Sequence, residues 1–399
     1  MEKTRKKPLL VGLSGGLDSL VAAYLMKIQK IDLYGVMIAN TPESMQETGE
    51  SIFACHQSEA RIDRVKAICE HLQIPLTVVR AREQFQDRVI DGWLNAKVEL
   101  TKPRSCFDCH RLRMDILFQK MQELGCDGIV TGHYAKLIRP TPESKVSVHT
   151  SNDLAFDQSS LLMSIDQSIL NKLTLPLSDL QKKEVKKIAE SFEIHPPERI
   201  LSFGKCLPVT PEVTQMASKL IANSLLGEGD MTVSDQMVAR HQGFHSLEFG
   251  ADFLPPQARS GELPKKIIGS VWNDNKVILG PQDAFQDKGA FLILCHWGSD
   301  MEGMKSFKGF IHGAEGTSFE VLVSPKRMRA AALELSEGEL RFTPGEIISV
   351  FNRKGKNAKL LVTGFIQGPA KYYPDNTLSL EVRGERGPEV AVVDKDFNF

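Results

Sequence analysis

The sequence predicts a doubly wound α/β domain, then a small central domain, then a β-rich C-terminal domain. Three observations carry this. Short apolar runs alternate with helical patterns through the first half of the chain, and such alternation means a parallel sheet with helices on both faces. Turn residues and Gly-Pro punctuation take over after about residue 208. From about Asp283 short β-rich runs follow, separated by turns, as in a small barrel or sandwich. The domains are accordingly placed at 1–207, 208–282 and 283–399.

Each element has a local reason. Leu9–Val11 is an apolar strand, the SGG turn follows, and Leu17–Met26 repeats at helical spacing. Leu33–Ile38 reads as a second strand, Ile62–Leu72 as a helix and Leu76–Val79 as a third strand. A helix is expected from Asp108, its N-cap, with Leu112, Ile116, Leu117, Met121 and Leu124 on one face and Gly125 as its stop. Gly128–Thr131 is then a strand ending at Gly132-His133. Val213–Leu225 is helix-like. The C-terminal runs are Phe291–Cys295, Ser306–Ile311, Phe319–Val323, Ile347–Phe351 and Leu360–Phe365.

With 399 residues, 42% hydrophobic and 25% charged, the chain falls in the soluble globular range. A net charge of −1 neither supports nor excludes a nucleic-acid partner, because local patches decide. Seven cysteines do not make a disulfide scaffold at this length. The start, MEKTRKKPLLVGLSGG, has no apolar run long enough for a signal peptide, and no segment reaches membrane-span length. These features predict a cytoplasmic protein with reduced thiols and no membrane partner.

Ser14–Ser19, SGGLDS, sits between a strand and a helix. Its glycines admit a phosphate close to the backbone, and the helix start presents amides and a favourable dipole. Ser14 and Ser19 add hydroxyls, and Asp18 is placed to organise Mg²⁺ or the first turn. No Gly-Lys-Ser/Thr follows, so this is not a Walker A loop, nor is it a G-x-G-x-x-G fingerprint. The hexapeptide resembles the motif of the PP-loop ATP pyrophosphatases. That resemblance implies cleavage of ATP to AMP and pyrophosphate, with the adenylyl group activating a carbonyl-type oxygen. It leaves the acceptor open among metabolites and RNA.

The cysteines narrow the acceptor. Cys106-x-x-Cys109-His110 matches a haem-attachment letter pattern, but also zinc, dithiol and iron–sulfur patterns. Cys206 lies in FGKC about a hundred residues later. Cys69, Cys126 and Cys295 stand in apolar contexts and are expected in the core; Cys55 stays ambiguous.

The chain resembles the bacterial tRNA-specific 2-thiouridylase family over nearly its whole length. Gly12–Ser19 looks like the family's ATP loop, and Cys55 with Asp63 like its C…D pair. Thr131-Gly132-His133-Tyr134-Ala135 is similar to its TGHYA segment, and Asp157-Gln158-Ser159 to its DQS. The stretch from Leu175-Pro176-Leu177 through Lys183 and Lys187 resembles its FPLG…K-x-EV…IA. Ser202–Cys206 lines up with its S-x-G-x-C, His241–His245 with its H-x-G-x-H, and Phe342–Glu346 with its TPGQ. The resemblance implies a C-terminal β-barrel. It also implies ATP at Gly12, Leu13, Ser14, Gly15, Gly16, Leu17, Asp18 and Ser19, with Ile38 and Gly132 beside the nucleoside and Mg²⁺ on the triphosphate. It points Arg104, Ser105, His133, Asp157, Gln158 and Glu346 toward tRNA.

The departures matter as much. Where the family usually reads N-P-D-x-x-C-N, this chain has Arg104-Ser105-Cys106-Phe107-Asp108-Cys109-His110, so a cysteine replaces an aspartate often given an acid/base role. The barrel stretch 310–312 lacks the family's Arg-Tyr-Arg-like triplet. Cys106, Cys109 and Cys206 are then the expected catalytic set. By resemblance to other PP-loop RNA thiolases they are also the expected ligands of a 4Fe–4S cluster whose free iron holds sulfide. A persulfide on Cys206 without a cluster comes second, and a zinc site third. The expected reaction is adenylation of a flipped uridine at its C2 oxygen, in the wobble position of the anticodon, followed by attack of sulfur. The sulfur donor is sulfide or a carrier protein. Lys182–Lys187, Lys326–Arg329 and Lys354–Lys359 are candidates for tRNA phosphates. Two other classes remain open: a PP-loop ligase acting on a small molecule or another RNA position, and a non-catalytic iron–sulfur RNA-binding module, which the intact SGGLDS argues against.

Overall fold

The structure is a computed structural model. It describes residues 7–40, 59–192, 211–221, 226–301, 304–312, 317–326 and 329–369. Cys55 and the Ser202–Cys206 segment lie outside the described residues.

The N-terminal sheet is parallel throughout. Its order is Leu76–Arg80, Leu33–Ala39, Leu9–Gly12, Ile129–Val130 and Leu173–Thr174. The chain starts in the middle, winds outward to one edge, then returns past the first strand to the other. The order therefore reverses between Leu9–Gly12 and Ile129–Val130, and ligands of doubly wound sheets bind outside the carboxyl ends at such a point.

Strand alternation decides which helix covers which face. Leu10, Val36 and Ile129 enter one hydrophobic cluster with Cys109, Leu112, Met114, Ile116 and Leu117 of the helix Ser105–Glu123. Their neighbours Val11, Met37 and Val130 enter the other. There they meet the helices Leu17–Ile28, Glu59–His71 and Lys182–Ser191. Both faces are covered, so the strands read as continuous apolar runs.

The helix expected from Asp108 begins one turn earlier, at Ser105, with Arg104 as N-cap. Asp108 is an internal residue and no cap; the Arg104 carbonyl accepts from the amides of Phe107 and Asp108 at 2.8 and 3.1 Å. Tertiary packing extends the helix upstream. Phe107 is 3% exposed and meets Phe365 edge-on at 5.0 Å, so the first turn is held from outside.

The central region holds a five-stranded sheet in the order Asp252–Phe253, Lys265–Val271, Lys276–Gly280, Gly229–Val233, Gln236–His241. The helix expected over Val213–Leu225 is described as Pro211–Leu220. The C-terminal region is a closed barrel of Gly289–Trp297, Ala330–Leu335, Ser318–Lys326, Phe307–His312, Ile347–Phe351 and Leu360–Pro369. Ala331, Val321, Val323, Leu333, Val350 and Val362 fill its interior.

The barrel rests on the start of the Ser105–Glu123 helix. The Arg104 guanidinium lies 4.7 Å above the Phe365 ring. Lys102 donates its amide to the Pro344 carbonyl at 3.2 Å and pairs with Glu346 at 2.5 Å. The central sheet attaches through Ser270, whose hydroxyl donates to the Val98 carbonyl at 2.8 Å.

Phe365 is 2% exposed and contacts both Phe107 and Arg104. Phe365→Ala is expected to cost about 3–5 kcal/mol, the usual range for emptying a buried Phe site. Chemical denaturation of the full chain checks this.

Candidate active site at the sheet switch point

The strand Leu9–Gly12 runs through Leu13 and Ser14 into a tight turn. Gly15 has φ +73°, a left-handed conformation that a side chain would strain. The turn is tied by its serines. Ser19 Oγ accepts from the Ser14 amide at 3.2 Å and donates to the Gly16 carbonyl at 2.9 Å. Its single proton is thereby used, so in the 3.1 Å contact between the two hydroxyls Ser14 is the donor. Both hydroxyls thus serve the turn itself. No side chain caps the helix Leu17–Ile28, whose first-turn amides are left for an anion.

The turn opens onto a cavity of about 250 Å³. One wall is apolar: Leu13, Val36, Ile38, Met114 and Leu117. The other end is polar: Ser14, Asp18, Ser19, Thr131, His133 and Gln158. His110 and Arg113 enter from the Ser105–Glu123 helix, and Gly12 and Gly132 contribute main chain. Gly132 is sterically required, because an added Cβ would stand 2.6 Å from the Asp18 carbonyl carbon and oxygen and 2.8 Å from the Ser19 nitrogen.

Asp18 is engaged. Lys182 donates to its two oxygens at 2.6 and 2.7 Å, and the Tyr134 hydroxyl donates to Oδ1 at 2.9 Å. Burial and this carboxylate together push the Tyr134 hydroxyl far above its ordinary pKa. Lys182 is 8% exposed. This corrects its reading, within Lys182–Lys187, as a candidate for tRNA phosphate: the side chain turns inward onto the loop.

Two histidines meet at the polar end. His110 Nε2 lies 3.1 Å from His133 Nε2, and His133 Nδ1 lies 2.8 Å from Thr131 Oγ1. Burial pushes His133 down to about 4, against a smaller opposing pull from Asp18. His110 falls well below its usual value through burial, then through His133 and Arg113. Both rings are therefore neutral near pH 7, one donating to the other. His110 is turned to His133, not to a metal shared with Cys109.

Cys106 and Cys109 stand three residues apart at the start of the same helix, one turn from the cavity. Cys109 is 6% exposed, and Asn40 Nδ2 donates to its sulfur at 3.4 Å. Among the described residues no group of three or more His, Cys, Asp or Glu side chains is placed to hold a metal. Cys69, Cys126 and Cys295 are buried, as expected of core residues; burial raises Cys69 to about 11 and Cys295 to about 12.

Of the residues read as nucleotide-binding, Gly12, Leu13, Ser14, Asp18, Ser19, Ile38 and Gly132 line the cavity, while Gly15, Gly16 and Leu17 shape the turn and helix start. His133 and Gln158, read as facing tRNA, line the same cavity. The remaining tRNA candidates, Ser105 apart, are engaged within the protein. Asp157 accepts from the Ser151 amide at 2.6 Å and from Ser159 Oγ at 2.5 Å, and burial raises its pKa. Arg104 stacks on Phe365 and Glu346 pairs with Lys102, whereas Ser105 is 6% exposed and its buried hydroxyl has no hydrogen-bond partner among the described residues. The reading missed Lys182 behind Asp18, the histidine pair, Arg113 and Asn40. For Lys182 one signal was present: it follows Gln181, whose amide donates to Glu184 at 2.7 Å in a helix-start pattern that fixes the lysine's direction.

A parallel sheet with an uncapped, glycine-turned helix start at its switch point defines a nucleotide-binding α/β protein of the PP-loop class. Residues 7–208 match the model of the tRNA methyl transferase HUP domain family, which is half of the chain, and the chain belongs to that family. It is similar over its length to the tRNA-specific 2-thiouridylase MnmA of Sinorhizobium fredii, at 26% identity over 90% of this chain and 91% of that one. It is likewise similar to MnmA of Acidithiobacillus ferrooxidans, at 28% identity over 91% and 99%. A solved 4-thiouridine synthetase–RNA complex with bound ATP overlaps 53% of this chain and 50% of its own at 19% identity, with a TM-score of 0.35 that is too low to add weight.

Gly132→Ala is expected to abolish nucleotide binding in calorimetric titration, because its Cβ collides with main chain. Gly269→Ala, with open space around it, is the control and should bind normally.

The histidines set a pH dependence. His133 and His296 are both held at about 4, while their unfolded value is 6.5. Between those values the unfolded chain binds protons that the folded one refuses. Their stability contribution is thus full above pH 6.5 and lost as pH falls from 6.5 toward 4. Melting temperature against pH should fall through this window, and less steeply in His133→Gln.

Proposed function

We propose that the chain is an ATP-dependent tRNA sulfurtransferase that adenylates the C2 oxygen of a uridine and replaces it with sulfur. One observation carries the reading: a single helix, Ser105–Glu123, supplies both wall residues of the anion-loop cavity and, one turn away, the Cys106/Cys109 pair. In this reading nucleotide activation and thiol chemistry draw on the same helix. The full-length likeness to 2-thiouridylases supports the same substrate class.

In this reading ATP lies with its base against Leu13, Val36 and Ile38 and its phosphates at the helix start of Leu17. Mg²⁺ enters as the counter-ion of the triphosphate, since Asp18 is taken by Lys182. The uridine oxygen attacks the α-phosphorus, and pyrophosphate departs on the loop side. The neutral His110–His133 pair holds hydrogen bonds at the polar end without adding charge. Sulfur then attacks C2, and AMP leaves.

For sulfur delivery the thiolates of Cys106 and Cys109, with Cys206, suit iron. Spaced i, i+3 on a helix, the first two share a face. These residues would hold a 4Fe–4S cluster, which when bound supplies an iron open to exogenous sulfide. A persulfide on Cys206 is the alternative and needs no metal.

The test is anaerobic purification with iron and sulfide counts, followed by incubation with tRNA and ATP, with sulfide in one arm and a persulfide donor in another, and mass spectrometry of the nucleosides. 2-Thiouridine, AMP and pyrophosphate are expected in the wild type. Cys109→Ser and Cys206→Ser should lose the thionucleoside. An iron-free, colourless preparation that is active with the persulfide donor eliminates the cluster and leaves the persulfide. ATP turnover on a metabolite, with no change in tRNA, eliminates the reading as a whole.

A further inference from the structure

Asp18 is an awkward neighbour for phosphates. It stands in the first turn of the anion-binding helix and lines the cavity, where a bare carboxylate repels the ligand that the helix start attracts. Behind it lies Lys182, whose ammonium spans both carboxylate oxygens at 2.6 and 2.7 Å. The ammonium is sealed in: the rings of Tyr134 and Phe156 each lie 5.5 Å from Nζ. Its backbone is fixed as well, the Lys182 amide donating to Asp153 Oδ2 at 2.8 Å. Among the described residues, those lining the cavity include Asp18 and not Lys182. To touch a phosphate, Lys182 would have to leave both oxygens and both rings.

We infer that Lys182 is a built-in counter-ion of the anion loop, a positioning residue that cancels the Asp18 charge so that the loop accepts a nucleoside triphosphate, without itself contacting the phosphates. This rests on reading the cavity as an ATP site. Removing the ammonium alone strands a part-buried carboxylate beside the incoming anion. Removing both charges leaves a neutral pair of similar shape, which buried ion pairs commonly tolerate.

The experiment is calorimetric titration of the full-length wild type, Lys182→Met and Asp18→Asn/Lys182→Met with ATP and with adenosine. Lys182→Met should weaken ATP about 100-fold, as expected of a like charge within a few ångströms in a partly dry site, and adenosine by less than about threefold. The double variant should return ATP to within about tenfold of wild type. A double variant that binds ATP no better than Lys182→Met overturns the inference and makes Lys182 a phosphate contact. Equal losses for ATP and adenosine overturn it in favour of a purely structural role. Should Lys182→Met fail to fold, the double variant decides alone: binding within about tenfold of wild type supports the inference, and a loss of about 100-fold overturns it. A wild type that binds no ATP removes the ATP reading and this inference together, whereas normal wild-type binding with an unrestored double variant removes this inference only.

Discussion

The main chain of Gly132 runs against the main chain of Asp18 and Ser19, with no room between them for even a methyl group. The rest of the site depends on this approach. It joins the end of the strand Ile129–Val130 to the start of the helix Leu17–Ile28 across the point where strand order reverses. Because Gly132 is pinned there, His133 lands at the polar end of the cavity and Tyr134 reaches Asp18. Two consecutive residues thereby deliver one neutral hydrogen-bonding ring to the cavity and one hydroxyl to Asp18.

The electrostatics follow one pattern. Apart from the Arg113 guanidinium, the titratable groups facing the cavity are neutral, or neutralised, near pH 7. Burial holds His110 and His133 uncharged, and Lys182 meets the one carboxylate in the loop. What attracts an anion is the helix start, with no side chain competing for its amides, together with the Arg113 guanidinium in the cavity lining. Preorganised dipoles of this kind keep their position when a neighbouring charge changes.

Much of this was legible in the sequence. The SGGLDS turn, the alternation of strands and helices, and the five barrel strands read from β-rich runs all rest on local patterns. Local patterns failed where packing decided the outcome. Ala330–Leu335, AAALEL, has a helix former's composition yet forms a barrel strand, because its partners on both sides satisfy its backbone and its alanines let the strands close. The central sheet was hidden because Gly229–Val233 and Lys276–Gly280 pair in parallel across more than forty residues of intervening chain. The cysteine helix begins at Ser105 only because Phe365, far along the chain, covers its first turn. Lys182 was misread because the carboxylate it meets, Asp18, lies 164 residues away, so a local run of lysines does not show which of them has a buried partner.

The Ser105–Glu123 helix is where these long-range effects converge, and its geometry orders them. Residues 104–107 meet the barrel through Arg104, Phe107 and Phe365. Cys106 and Cys109 follow within one turn. His110, Arg113, Met114 and Leu117 then line the cavity. At 1.5 Å per residue, Phe107 at the barrel contact and His110 at the cavity are separated by only about 5 Å of continuous helix. Such a segment transmits displacement along its axis with little loss, since its backbone hydrogen bonds are internal and its apolar face is locked into the sheet. Arg104 and Glu346 act in this arrangement by fastening the barrel to the helix, which makes the spacing between the barrel surface and the two cysteines a fixed property of the fold.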